Sequence, residues 1–143
     1  MGFDTCERYD KGGIFRRLAD DGDTMEFVFL AEPEPIRNRL RDGTTATQFA
    51  FPILDEDGVG VLAVGVTEYR DIRDNWTKLN GKQCERERIG KKGDKRTRYR
   101  IKTTSGDALI NAAGDLDATE IDAMMAKVID GTIARDDSGD IPF

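Results

Sequence analysis

The sequence predicts a mainly β domain: a small barrel of five strands, with one helix between the third and fourth strands and a second helix added after the fifth. Three observations carry this. Residues 24–31, 47–54 and 59–66 are short, bounded by turn residues and rich in aromatic or β-branched side chains, as strands are. A helical apolar spacing occupies 67–79, followed by two arms of period-two alternation at 82–102. A capped amphipathic pattern then runs over 117–131.

The strands follow from local composition. In T-M-E-F-V-F-L-A, Met25, Phe27 and Phe29 share one face, and Glu26, Val28 and Leu30 the other. In T-Q-F-A-F-P-I-L, Phe49, Phe51 and Ile53 align, while Pro52 implies an edge or a bulge. The run V-G-V-L-A-V-G-V is apolar on both faces and is expected buried, after a hairpin turn at D-E-D-G. Between the first two strands lies E-P-E-P-I-R-N-R-L-R-D-G, expected to be a loop over 33–43 because two prolines block ladder bonding. Extended, it would point Arg37, Arg39 and Arg41 the same way.

Thr67 is the expected cap of the first helix, which places Tyr69, Ile72, Trp76 and Leu79 on a core side and stops at Asn80-Gly81. Residues 105–116 carry no assignable pattern. Asp117 with Glu120 forms a capping-box signature for the last helix and Gly131 its stop. Its face of Ile121, Met124, Met125, Val128 and Ile129 must pack on the domain or on another copy, so a homo-oligomer is an expectation. The chain divides into a flexible N-terminus (1–11), the barrel domain (12–104), an extension with a helix (105–131) and an acidic flexible tail (132–143).

Composition narrows the chemistry. The 143 residues suit one domain, 38% of them apolar and 35% charged. No apolar run reaches the ~18 residues of a membrane span, and the first ten residues lack the apolar core of a leader, so a cytoplasmic protein is expected. With two cysteines and no histidine, the usual zinc sets and imidazole catalysis are excluded; no enzyme, metal site or cofactor is expected. An Asp-rich surface with 14 Arg against 8 Lys is compatible with a salt-adapted source.

The stretch 82–102 stands apart. It holds ten of the 22 Lys and Arg residues and three of the 28 acids, about +7 in a chain of net −6. The other 122 residues carry about −13, a split that marks a polyanion-binding surface on an acidic body. Arg86 and Arg88 alternate with Glu85, Glu87 and Ile89; after the Gly/Lys tip, Arg98, Arg100 and Lys102 alternate with Tyr99 and Ile101. This is a hairpin with a tip suited to a phosphate backbone.

Three strands, a helix and a two-stranded hairpin is the order of the OB-fold barrel, whose ligand surface uses the second and third strands and the loops between strands one and two and strands four and five. The two loops so placed carry Arg37, Arg39 and Arg41, and Lys91, Lys92 and Lys95. A small barrel of another topology is the alternative.

Over residues 14–104 the chain resembles a group of phage-encoded single-stranded DNA-binding proteins. The shared features are a G-D-x-x-x-x-V-F-L opening at 22–30, an F-x-F strand at 49–51 and a T-x-Y-x-I arm at 97–101. The final D-D-S-G-D-I-P-F is similar to the acidic tip by which bacterial single-stranded DNA-binding proteins recruit partner enzymes, although Ser138-Gly139 interrupts the acid run. The resemblance implies a role in DNA replication or recombination, with replication or recombination proteins as partners of the tip and, for a phage protein, the host cytoplasm as its location. The terminal Ile141-Pro142-Phe143 behind Asp136, Asp137 and Asp140 independently suits a pocket with an apolar floor and a basic rim.

The expected activity is sequence-independent binding of single-stranded DNA. Arg86, Arg88, Lys91, Lys92, Lys95, Arg96, Arg98 and Arg100 track phosphates, with the arginines of 37–41, while Phe49, Phe51 and Tyr99 are the candidates to stack on bases. Two alternatives stay open: a protein-interaction adaptor using the basic hairpin and the acidic tail, and an RNA-binding barrel of the cold-shock kind.

Overall fold

The computed structural model describes residues 14–39, 43–91 and 97–130, and for 38 and 39 the backbone alone. The elements are β1 (Thr24–Phe29), β2 (Glu34–Arg39), β3 (Thr45–Asp55), β4 (Gly58–Val64), α1 (Val66–Asp74), α2 (Trp76–Leu79), β5 (Gln83–Ile89), β6 (Arg98–Thr103), α3 (Ala108–Ala113) and α4 (Ala118–Ile129). The domain is mainly β: one antiparallel sheet of six strands in the order β2-β3-β1-β5-β6, with β4 also on β3. The strands and the first and last helices stand close to where periodicity puts them.

Two expectations need correction. The segment 33–43 is not wholly a loop. Residues 34–39 form β2, paired from Glu34↔Ala50 to Arg39↔Thr45. Pro35 is tolerated because β2 is an edge strand, where a missing N–H need not break a ladder bond. Nor is the sheet a closed barrel of five strands: among the described residues no ladder joins β4 to β6.

β3 organises the sheet by its length of 11 residues. β2 and then β1 use one edge of it, β1 through Val28↔Leu54 and Phe29↔Ile53. β4 uses the other edge, after a tight turn between Asp55 and Gly58. Gly58 has φ +108°, open to glycine at little cost, and the Asp57 N–H donates to Asp55 Oδ1 at 2.9 Å. The N-terminal segment then runs parallel beside β4 at Phe15↔Val61. Gly60 permits that approach, since a Cβ there would sit 2.6 Å from the Arg16 guanidinium. Arg16 also pairs with Asp55 at 2.7 Å.

Each sheet face has its own core. On one face Phe27, Phe29, Phe51, Ile53, Leu62, Val64 and Cys84 pack under Ile72 of α1 and Leu79 of α2. On the other, Phe15, Ile36, Ala50 and Val61 pack under Met125 and Val128 of α4. The last helix thus packs Met125 and Val128, with Met124 beside them, on its own sheet, while Ile129 of the same helix is 49% exposed. Its start matches the expected cap: the Asp117 carboxylate accepts from the Thr119 N–H at 2.9 Å. The first helix starts instead after Gly65, with no side-chain cap, and breaks at Asn75 into α1 and α2.

Cys84, fully buried, donates its thiol toward the Leu79 and Lys82 carbonyl oxygens at 3.7 and 3.5 Å. Burial pushes the thiol up to about 11, above its ordinary 9.0. Between those values the unfolded chain loses this proton while the folded one keeps it, so stability falls as pH rises from about 9 to about 11. The expected outcome is that Cys84 resists alkylation by iodoacetamide at pH 8 in the native protein and reacts in urea; rapid native labelling at Cys84, mapped by mass spectrometry, contradicts this burial.

Candidate nucleic-acid interface

The β5–β6 hairpin is built on the register Arg88↔Tyr99, Arg86↔Ile101 and Cys84↔Thr103, which puts these residues on the face toward the helices. The opposite face pairs Ile89 with Arg98, Glu87 with Arg100 and Glu85 with Lys102. There Arg100 reaches Glu87 at 2.9 Å and Lys102 reaches Glu85 at 3.5 Å. Both cations remain about two-thirds exposed, at 64% and 65%. Exposed pairs of this kind hold each other weakly, so both cations stay available to a stronger anion.

Arg86 and Arg88 are corrections. Expected to track phosphates, they are 3% and 1% exposed. Arg86 clamps Glu68 of α1 with two bonds of 2.7 Å, from Nε and Nη2. Its guanidinium lies 3.6 Å from the centre of the Tyr99 ring. Arg88 donates to the carbonyls of Leu18 at 3.0 Å, Gly90 at 3.0 Å and Lys91 at 3.3 Å. A guanidinium has five donors in a rigid fork, and here they are directed to the frame of the protein.

Arg88 thereby fixes the base of the basic finger. Gly90, at φ +132°, donates its N–H to Asp21 Oδ1 at 2.9 Å, and a Cβ on it would strike Thr97 Cα at 2.8 Å. Lys91 is exposed just beyond this anchor. Lys92, Lys95 and Arg96 lie outside the described residues, as do Arg41 and the tail residues Asp136, Asp137, Asp140, Ile141, Pro142 and Phe143. Arg98 and Arg100 are exposed on β6.

Tyr99 is half-buried. With Arg86 over its ring, it lines a cleft of about 410 Å³ between β6 and the helices α1 and α2, where Asn75, Lys78, Arg100 and Lys102 are also found. Glu68 and Asp71 lie on the helix side of the same cleft.

Phe51 is another correction. It is 1% exposed, 5.0 Å from the ring of Phe29 and 5.9 Å from that of Trp76, so it belongs to the core and is no free stacking platform. Phe49 is half-buried and stacks on Tyr69, ring centres 3.9 Å apart and planes 14° from parallel. Arg37 is exposed on β2, and the backbone of Arg39 pairs with Thr45. β2 and β6 stand at opposite ends of the strand order, with β3, β1 and β5 between them.

Sequence reasoning missed Glu68, Tyr69, Arg73, Asn75 and Lys78 as possible interface residues. Tyr69 and Arg73 are four apart on a helix, and the Arg73 guanidinium lies 5.7 Å from the Tyr69 ring centre, a spacing legible in advance. Glu68 had no local signal, because its partner is 18 residues away. Among the described residues no group of His, Cys, Asp and Glu side chains is placed to hold a metal ion, and no helix is long and apolar enough to cross a membrane. Comparison with protein-family models, with curated proteins and with solved structures gives no match.

Proposed function

We propose that the chain is a sequence-independent single-stranded DNA-binding protein, with an OB-type barrel left open at one seam. In this reading β1 and β2 are two halves of one bent first strand, since both use the same edge of β3. The order then becomes three strands, a helix and two strands, as in OB folds. The open seam lies between β4 and β6, and α1 and α2 join it to the core through Ile72, Leu79 and Ile101.

The observation that carries the proposal is the state of Tyr99. Its ring is braced by Arg86, itself locked by Glu68, and it lines a cleft rimmed by Lys78, Arg100 and Lys102. A braced aromatic beside several exposed cations suits a single strand, where every base offers a π-face and every phosphate a charge. Tyr99 would stack on one base while the cations, with Lys91 and Arg98 along the finger, neutralise phosphates. Duplex DNA hides its base faces and gains only the charge term. The acidic tail, ending in Ile-Pro-Phe, would serve partner proteins of replication or recombination.

The test is fluorescence anisotropy with labelled oligo-dT, duplex DNA and single-stranded RNA across a salt series. Oligo-dT should bind most tightly, with log K falling linearly against log salt. Tyr99→Leu should weaken oligo-dT binding about tenfold or more, the range of one lost stacking contact. Affinity for oligo-dT no better than for duplex would remove the proposal; tighter RNA binding would redirect it to the RNA-binding alternative.

A further inference from the structure

We infer that the recess between α1, α2 and the β1–β2 connection is a second base site, taking one unpaired nucleobase of a bound strand. This rests on the single-strand reading above. The recess, about 360 Å³, is lined by Glu32, Pro33, Tyr69, Arg73 and Trp76, with the buried Phe51 and Ile72 beneath them. Its floor and walls are apolar, and its charged groups stand at the rim.

Three features select the occupant. The walls are flat and braced from behind: Trp76 packs 5.2 Å from Phe29 and 5.9 Å from Phe51, and Tyr69 is stacked on Phe49 at 3.9 Å. Both wall rings are nevertheless only half-buried, so some of each ring is left to a ligand, with Arg73 5.7 Å from the centre of the Tyr69 ring. Rings already held in place lose little freedom when something stacks on them.

The rim supplies one acceptor and one donor, the exposed Glu32 carboxylate and the exposed Arg73 guanidinium. A simple cation would be repelled by Arg73 and a simple anion by Glu32. An aliphatic chain would match the floor and offer nothing to the Glu32 carboxylate or to the exposed Arg73 guanidinium, whose other contact is Asp74 at 3.2 Å. A neutral planar ring carrying N–H donors and carbonyl or ring-nitrogen acceptors satisfies the walls and the rim together, and a nucleobase is such a ring.

Position supports the same occupant. Ile72 lines both this recess and the Tyr99 cleft, so the two sites flank one helix, which is about 10–12 Å across with its side chains. One strand wrapped over α1 would reach both within a few nucleotides. Two braced ring platforms on one subunit would raise affinity without any sequence requirement.

Trp76 is the single tryptophan of the chain, so its emission reports on this recess alone. The full chain is titrated with a labelled oligo-dT while anisotropy and Trp76 emission are read together, and acrylamide quenching is measured with and without oligonucleotide. The expected result is emission that falls in step with rising anisotropy and weaker acrylamide quenching in the complex. A folded Tyr69→Leu variant should bind about tenfold more weakly, and unchanged affinity would overturn the proposal. The wild-type emission keeps it falsifiable should that variant not fold. Rising anisotropy with unchanged Trp76 emission and accessibility would overturn the second site and leave the single-strand reading standing. No rise in anisotropy would remove both.

Discussion

Replacing Glu68 by alanine should destabilise the protein by about 3–5 kcal/mol, the cost of leaving one member of a buried ion pair without its partner. Arg86 is 3% exposed and Glu68 closes it with two bonds of 2.7 Å. Without the carboxylate the buried guanidinium keeps its charge beside the Tyr99 ring, 3.6 Å away, with its two donors unmatched. The measurement is urea unfolding, in which the midpoint should move while the slope holds. The double variant Glu68→Leu with Arg86→Met should recover most of the loss, because the pair's net contribution is small once both charges are gone. A Glu68→Ala cost below about 1 kcal/mol would mean that the pair is solvated.

Arg88→Met should cost about 3 kcal/mol by a different route. The methionine fills much of the same volume, but the carbonyls of Leu18 and Gly90 lose this donor, while that of Lys91 keeps the Thr97 hydroxyl at 3.4 Å. Buried acceptors left unmade cost about 1–3 kcal/mol each, with part recovered by relaxation. The damage should be local as well as global. Amide exchange should accelerate at Gly90, whose N–H is held by Asp21, and at Gly22, whose N–H is held by the Arg88 carbonyl. If the basic finger needs this base to present its lysines, oligo-dT affinity should fall although Arg88 itself never reaches solvent. Unchanged exchange at Gly90 would show that the finger holds itself.

These two arginines mark where reading the chain and seeing it folded part company. The alternation of Arg86 and Arg88 with Glu85 and Glu87 is plain in the sequence, and so is that of Tyr99 and Ile101 with Arg98, Arg100 and Lys102. Hydrophobicity orients β6 correctly, with Tyr99 and Ile101 toward the helices. On β5 there is no apolar stripe to decide the matter, and the side carrying the arginines is the buried one. It can be buried because Glu68, 18 residues before Arg86, and Leu18, 70 residues before Arg88, arrive to satisfy it. The prolines of 33–43 misled in the same manner. They report that a ladder bond is missing, not that the segment lies outside a sheet, and β2 is an edge strand on which Pro35 does no harm.

From its residues alone this chain could be resolved into a mainly β domain, its strands and its first and last helices, a cap at Asp117 and a basic finger on an acidic body. Those properties depend on neighbours close in sequence: alternation, helical spacing and charge density. The folded chain alone decided that the sheet has six strands with no ladder between β4 and β6 among the described residues, that Phe51, Arg86 and Arg88 are interior, and that Tyr99, Tyr69 and Trp76 stand beside clefts. A period of two says that a strand has two faces. Which face is covered depends on what the rest of the chain brings to it, and here α1 and the segment around Leu18 brought a carboxylate and a carbonyl to the arginine side.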